Sequence, residues 1–280
     1  AHSDLGNPGG GHVCATPSDT VQDSPIPGDW NPQNYDRSFH GTVSYRTALT
    51  YSYNVPAVKV AMKYGTEKTL KLAKRLGITT LVDDDDNAAM ALGGLTHGVT
   101  PLEMAGAYAG IANMGKFNKP TPIVKILDRN GKVLYEHKTN PTQAVKPETA
   151  YMMISMMEDV MTRGTGRGAA INRPCAGKSG TTDTYHDAWF VGFTPNLACA
   201  VWIGDDNNES LGGMTGGGEP ATLWRTFMSG ALDGIPAEDF EKPDGFKMPA
   251  PKYEAPKAQP KKDTAKKQDT KKQNSKKEDS

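Results

Sequence analysis

The stretch that decides the fold is AGKSGTT, at residues 176–182. Two short apolar segments follow it, at 188–193 and 197–204, and a Thr-Pro-Asn turn joins them. Apolar runs of this length, bounded by turn residues, are typical of central strands in a sheet. We therefore predict a strand at 176–182, followed by a hairpin of two further strands.

The Lys-Ser-Gly-Thr sequence within this stretch has two main interpretations. A phosphate-binding P-loop requires a glycine five places before the glycine that precedes the lysine, but that place holds Asn172. The favoured interpretation is a strand edge beside an active site, where Lys178 supplies positive potential. Gly180 would let a substrate backbone approach closely. The hydroxyls of Ser179 and Thr181 would bind a carboxylate. An ordinary polar strand is the third interpretation.

Upstream of this region, the spacing of apolar residues indicates helices. The first 35 residues are rich in Gly, Pro, Asp and Ser and are interpreted as loop. The predicted elements are helices at 42–50, 55–64, 66–76, 100–113 and 147–161, a hairpin at 123–137, and a last helix at 220–232. Helices followed by an antiparallel sheet and a closing helix indicate an α+β fold.

Composition and charge exclude several classes of protein. Lys and Arg balance Asp and Glu at 32 each, but residues 251–280 hold ten Lys against five acidic residues. The rest of the chain is therefore net negative, which argues against a nucleic-acid-binding module. No run approaches the roughly 18 apolar residues of a membrane span, and no secretory signal opens the sequence. The three cysteines predict neither a metal site nor a disulfide framework.

The C-terminal segment has a composition unlike the rest. Lys, Gln, Asp, Ser and Pro dominate from Met248 onward, and few apolar residues remain. Such a segment cannot bury enough apolar surface to offset its ordering entropy. We predict a folded domain over residues 1–245 and a disordered tail over 246–280.

A second polar element, Ser52-Tyr53-Asn54, lies between two predicted helices. Ser-x-Asn alone is weak, because both residue types are common in caps and turns. It gains specificity because Lys178-Ser179-Gly180 begins 124 residues after Asn54 and an apolar hairpin follows. This order matches that of penicillin-interacting serine enzymes, whose motifs are Ser-x-x-Lys, Ser-x-Asn and Lys-Ser/Thr-Gly.

Over residues 28–235 the chain resembles the transpeptidase domain of a class A (bifunctional) penicillin-binding protein of Gram-positive type. The matching stretches are NYD at 34–36, ALTYSYNVPAVK at 48–59, ALGG at 91–94, GVTPLEMA at 98–105, AGKSGTT at 176–182 and DAWFVGF at 187–193. The resemblance implies a penicillin-binding/β-lactamase-like α+β fold, in which helices cover an antiparallel sheet. The domain over 1–245 would be incomplete on its N-terminal side.

The resemblance also implies an activity. Enzymes of this family cross-link peptidoglycan: a serine attacks the D-Ala–D-Ala bond of a donor stem peptide, and an acceptor amine resolves the acyl-enzyme. β-Lactams imitate the donor. Neither a cofactor nor a metal is expected. The complete protein would be anchored at the extracytoplasmic face of the bacterial cell membrane and fused to a glycosyltransferase domain.

The family's site roles map onto residues of this sequence. Ser52 would relay protons, and Asn54 would bind the amide of the donor. Lys178 would orient Ser52 and strengthen the positive potential. Ser179 and Thr181 would bind the terminal carboxylate, and the Thr181 N–H would form half of the oxyanion hole.

One departure from the family pattern concerns the nucleophile. No serine in the sequence is followed by lysine three places later; Ser52, for example, is followed there by Val55. Because the nucleophile motif precedes Ser-x-Asn in the family and the chain begins at Ala1, we expect an inactive fragment. The alternatives are a D,D-carboxypeptidase or β-lactamase-like hydrolase and a non-catalytic, cell-wall-binding pseudoenzyme.

Three other features are interpreted as structural. Residues 83–86 lack the glycine and glutamate of a calcium loop and are predicted to be a solvated acidic loop. Trp189, Trp202 and Trp224 lie on apolar patterns and are predicted to be core. The glycine-rich loop at 212–218 is predicted to lead into the last helix.

Overall fold

The computed structural model describes residues 15–249. Cys14 and nearly all of the predicted tail lie outside the described residues. The helices are α1 (Tyr45–Thr50), α2 (Asn54–Tyr64), α3 (Thr66–Arg75), α4 (Pro101–Ala112), α5 (Pro147–Thr162) and α6 (Glu219–Ala231). The strands are β1 (Thr20–Asp23), β2 (Gly41–Ser44), β3 (Lys116–Phe117), β4 (Lys125–Leu127), β5 (Val133–Glu136), β6 (Thr142–Gln143), β7 (Ala176–Thr181), β8 (Asp187–Phe193) and β9 (Ala198–Gly204).

The predicted three-stranded antiparallel sheet is confirmed, with strand order β7-β8-β9. Helices cover both of its faces. On one face, Phe190 of β8 packs against α6 through Trp224. On the other, Phe193 packs against α5 through Ile154 and edge-on against Tyr108 of α4. The predicted α+β class, an antiparallel sheet covered by helices, is therefore what the structure has.

Local sequence signals locate several elements correctly. Thr100 and Glu103 form the predicted capping box at the start of α4, in which each side chain accepts a hydrogen bond from the backbone N–H of the other residue. The turn sequence at 128–131 joins β4 and β5 as predicted. Both signals depend on residues a few positions apart, so the sequence alone suffices to read them.

The prediction for the first 50 residues is wrong in two places. The segment interpreted as loop contains β1, and the predicted helix at 42–50 begins as strand β2. The two strands pair antiparallel, with Thr20 opposite Ser44 and Asp23 opposite Gly41. Ser44 then caps α1 by accepting a hydrogen bond from Thr47 N–H. The pairing partner of β1 lies about 20 residues away, so no local pattern announces the strand.

Two side-chain predictions also need correction. Trp224 is fully buried, but Trp202 is 42% exposed and Trp189 is only partly buried. Asp85, predicted to be solvated, is buried and accepts hydrogen bonds from Thr96 N–H (2.7 Å) and Val82 N–H (2.9 Å). These bonds lower the pKa of the Asp85 carboxyl. Asp85 therefore links its own segment to the loop that contains Thr96.

Within residues 15–249 no helix is long and apolar enough to cross a membrane.

Candidate active site

Ser52 lies in the turn that ends α1. Tyr53 N–H donates to Ala48 O at 2.9 Å, and Ser52 N–H donates to Leu49 O at 3.2 Å. This pair of bonds is a common helix C-terminus, whose left-handed residue is usually glycine. Here that residue is Ser52, with a φ of 58°. A side chain in this conformation costs on the order of 1 kcal/mol, and such strain tends to persist at functional sites.

Asn54 is the first residue of α2, and its position is fixed from outside the helix. Tyr53, at the capping position, makes no side-chain cap. Instead Asn34 Oδ1 accepts from Asn54 N–H (2.9 Å) and Val55 N–H (3.3 Å). The Asn54 Nδ2 donates to Gln33 O at 2.8 Å. The segment at 33–34 therefore supplies the cap that these helix N–H groups require.

Strand β7 presents half of its backbone groups to the site. Thr182 N–H donates to Asp187 O across the β7–β8 pair. Since hydrogen-bonded and non-hydrogen-bonded pairs alternate in an antiparallel ladder, Ser179 and Thr181 direct their backbone groups to the outer edge of β7. The Ser179 carbonyl is consistent with this orientation, because its oxygen accepts a hydrogen bond from Lys178 Nζ at 2.7 Å.

Lys178 connects the two polar motifs. Its Nζ donates to Ser52 Oγ at 2.7 Å, although the two residues are 126 positions apart. Desolvation lowers the pKa of Lys178 to about 8. No carboxylate lies within salt-bridge distance of this ammonium among residues 15–249. The site therefore holds a cation without a counter-anion, which an anionic ligand can provide.

Thr165 joins the turn to the strand and was missed in the sequence analysis. Its hydroxyl lies 2.7 Å from Ser179 Oγ, and its N–H donates to Thr50 O at 3.3 Å. The preceding residue is glycine for a steric reason: a Cβ on Gly164 would lie 2.2 Å from Thr50 O. The Gly-Thr pair at 164–165 could have indicated a close contact, but the residues that it contacts, Thr50 and Ser179, are distant in sequence.

The glycine-rich loop at 212–218 borders the same strand. Gly216 N–H donates to Thr181 Oγ1 at 3.0 Å. A Cβ on Gly216 would lie 2.1 Å from Trp189 O and 2.4 Å from Gly180 O, so only glycine allows this approach. The loop leads into α6 as predicted, and it also holds the hydroxyl of Thr181.

The structure brings together Ser52, Lys178 and Ser179, and Thr181 lies on the same strand edge. Asn54 follows Ser52 by two residues but makes its recorded side-chain bond to Gln33, not to the other predicted site residues. No group of three or more His, Cys, Asp or Glu side chains that could hold a metal ion occurs within the described range 15–249. Chemically, the arrangement offers an ammonium, several hydroxyls and an outward N–H to an anionic, peptide-like ligand.

Comparison with known proteins gives a family match for this chain. Residues 14–228 match the family described as "Penicillin binding protein transpeptidase domain". Penicillin-binding protein 1A of Aquifex aeolicus (strain VF5) is 41% identical over 218 residues, which are 77% of this chain and 29% of that protein. Penicillin-binding protein 4 of Bacillus subtilis (strain 168) is 36% identical over 219 residues, covering 78% of this chain and 35% of that protein. The chain thus spans about a third of the length of these curated relatives.

Among solved structures, the PonA1 protein from Mycobacterium tuberculosis in complex with penicillin V has a TM-score of 0.74 and 27% identity. The match covers 86% of this chain and 70% of that one. Identity to the Aquifex protein exceeds identity to the Bacillus protein, so the Gram-positive type remains a prediction.

Proposed function

Because this chain belongs to the penicillin-binding protein transpeptidase domain family, we propose that it forms two walls of the active site of a peptidoglycan D,D-transpeptidase. The observation that carries the proposal is the 2.7 Å contact between Lys178 Nζ and Ser52 Oγ. Each residue belongs to a different polar motif, and the fold brings the two motifs into contact. The resulting cation, hydroxyls and free strand edge fit the C-terminal peptide of a donor.

The donor's terminal carboxylate binds at the end of β7. The hydroxyls of Ser179 and Thr181 donate to its oxygens, and the Lys178 ammonium supplies the opposite charge. The hydroxyl of Thr181 already accepts from Gly216 N–H, which leaves its own proton available for the ligand. Charge-assisted hydrogen bonds of this kind are roughly twice as strong as neutral ones.

The peptide bond that reacts lies along the outer edge of β7. The N–H of Thr181 points outward and stabilises the oxyanion of the tetrahedral intermediate. Asn54 has one amide N–H occupied by Gln33 O, so its other N–H and its Oδ1 remain for the backbone of the donor. Ser52, hydrogen-bonded to Lys178, passes a proton to the nitrogen of the departing D-alanine.

The nucleophile is the component that these 280 residues do not provide, since no serine is followed by lysine three places later. We propose that a Ser-x-x-Lys motif outside this sequence completes the site. Localisation at the extracytoplasmic membrane face, a glycosyltransferase partner domain and peptidoglycan stem peptides as substrates belong to the same proposal.

The test is the intact mass of the complete natural gene product after penicillin treatment, followed by peptide mapping. We expect one acyl adduct, on a serine of a Ser-x-x-Lys motif outside these residues. The same treatment of the 280-residue chain alone should leave its mass unchanged. Rapid loss of the adduct by hydrolysis would favour a carboxypeptidase or β-lactamase. No adduct on the complete product would favour a pseudoenzyme, and an adduct on Ser52 would overturn the assigned roles.

Penicillin binding should depend on pH through Lys178. The pKa of its ammonium is about 8, so the charge that attracts the ligand carboxylate is present below this value and lost above it. If only the charged form binds, affinity at pH 9 should be roughly tenfold lower than at pH 6. Reversible binding to the 280-residue chain can be followed by NMR. The Lys178→Met variant should bind weakly and without the tenfold difference between pH 6 and 9, and equal wild-type affinity at pH 6 and 9 would contradict the role.

A further inference from the structure

The segment Asn34-Tyr35-Asp36 is part of a network beneath the Ser-x-Asn turn, and the proposed chemistry gives that network no role. Asn34 is 2% exposed and Asp23, at the end of β1, is 1% exposed. Asn34 Nδ2 donates to Asp23 Oδ2 at 2.8 Å, while Asn34 Oδ1 holds the first two N–H groups of α2. The buried Asp23 carboxylate therefore contacts Asn34, the residue that accepts the first N–H groups of α2 and so positions Asn54.

His40 completes the network. Its backbone N–H and its Nδ1 lie 2.9 Å and 2.7 Å from Asp23 Oδ2. Its Nε2 lies 3.0 Å from Asp36 Oδ2. The imidazole ring stacks on the Tyr53 ring, with centroids 3.9 Å apart and planes 8° from parallel. Tyr53 is the middle residue of Ser-x-Asn, so the ring of His40 supports the turn directly.

The geometry specifies the protonation state that fits. Both ring nitrogens of His40 face carboxylate oxygens, which accept hydrogen bonds and cannot donate. A neutral imidazole donates from one nitrogen only, whereas an imidazolium donates from both. Asp23 Oδ1 is buried without a hydrogen-bond partner in the described part of the chain. The charge of an imidazolium would therefore also offset that of a carboxylate that solvent barely reaches.

Among the residues that the structure describes, the groups that face His40 come from three segments. They are Asp23 of β1, Asp36 of the loop at 34–40, and Tyr53 of the turn. The pKa of Tyr53 is raised by burial, with smaller contributions from the negative charges of Asp36 and Asp23 and from Tyr51. Tyr53 is therefore a neutral phenol beside the ring of His40.

We propose that His40, with Asp23 and Asn34, is a positioning unit for the Ser52–Asn54 turn, and that it works in the doubly protonated state of His40. Loss of that proton removes one of the two carboxylate contacts and the charge on the ring that stacks on Tyr53. The turn then loosens, and the Ser52–Lys178 contact becomes less frequent. The catalytic part of this inference rests on the proposed function, whereas the movement of the turn does not.

The first measurement follows the turn itself in the ¹⁵N-labelled 280-residue chain. The amide signals of Asn54 and Val55 should shift with pH at the same midpoint as the ring signals of His40. In His40→Gln this transition should disappear. In Asp36→Asn, a half-exposed site, the amide and ring midpoints should still coincide with each other, because both follow the same proton. His137→Gln, on the exposed β5 hairpin, is the control and should leave the transition unchanged.

The second measurement is the acylation rate of the complete gene product by a fluorescent penicillin, as the ratio of wild type to His40→Gln at each pH. The ratio should be about tenfold below the His40 midpoint and fall toward one above it, since small misplacements of catalytic groups have large effects. A purely structural role would give the same ratio at every pH.

The outcomes separate the two proposals. The positioning unit is overturned if the amide signals of Asn54 and Val55 do not follow the ring of His40, or if they change with pH in the same way in His40→Gln. It is also overturned if the ratio of acylation rates does not vary with pH. If the amides follow His40 but the wild-type gene product is never acylated, the positioning of the turn stands and the proposed transpeptidase function fails.

Discussion

Lys178→Ala should reduce the acylation rate of the complete gene product by penicillin about 10²- to 10³-fold, the usual effect of removing one preorganised donor from a reacting site. The variant loses the donor to Ser52 Oγ and to Ser179 O, each at 2.7 Å, and the site's positive charge. About tenfold of the loss should appear in initial binding and the rest in the chemical step, because Ser52 loses the Lys178 donor that orients its hydroxyl. Stopped-flow acylation at several penicillin concentrations separates this step from initial binding.

The fold should survive the substitution. Desolvation disfavours the Lys178 ammonium in the folded protein, so its removal does not take away a stabilising charge. Lys178→Met keeps most of the side-chain volume and should show the same kinetic loss. Lys119→Ala, at an exposed position outside the site, is the matched control. A Lys178→Met protein that acylates at the wild-type rate would remove Lys178 from the mechanism.

The sequence predicted the parts of this site that depend on residue type and strand pattern. Lys178, Ser179 and Thr181 lie on a strand whose neighbours have continuous apolar sequences, so both their element and their shared edge could be inferred. The meeting of Lys178 with Ser52 followed from the family resemblance and not from the local pattern. The assigned roles of these residues remain predictions, which the variants above are designed to test.

The sequence could not predict contacts in which one side chain caps or hydrogen-bonds a residue far away along the chain. Asn34 caps α2 from 20 residues away, in place of Tyr53, which has no suitable side-chain acceptor. Thr165 bonds to Ser179 across 14 residues. Neither partner is marked by a periodic pattern, because each contact uses a single side chain. The same limit explains the missed strand β1, whose pairing partner within residues 15–249 is β2.

The prediction that Trp189 and Trp202 are core residues was also wrong, and the reason is simple. Apolar alternation along a strand places a residue on one face, but it does not show whether a helix covers that position. Trp202 lies on β9 and is 42% exposed, whereas Trp224 lies on α6 and is completely buried. The two residues therefore form a matched pair for measuring what burial contributes.

Trp224→Ala should lower the free energy of unfolding by about 3–5 kcal/mol, a large part of the 5–15 kcal/mol typical of a folded domain. The indole contacts Phe190 edge-on, with centroids 5.5 Å apart, and its Nε1–H donates to Gly192 O (3.2 Å) and Cys199 O (3.1 Å). Alanine leaves both a cavity and carbonyls without this donor.

Trp202→Ala removes an indole that is bonded to Asp187 but faces solvent, so we expect a loss of about 1 kcal/mol or less. Urea denaturation of both variants of the 280-residue chain, followed by far-UV circular dichroism, measures the difference without depending on tryptophan fluorescence. Because β8 holds β7 in register, Trp224→Ala should also weaken penicillin binding at temperatures where unfolding begins. Equal losses of stability in the two variants would mean that α6 does not anchor the sheet that carries the site.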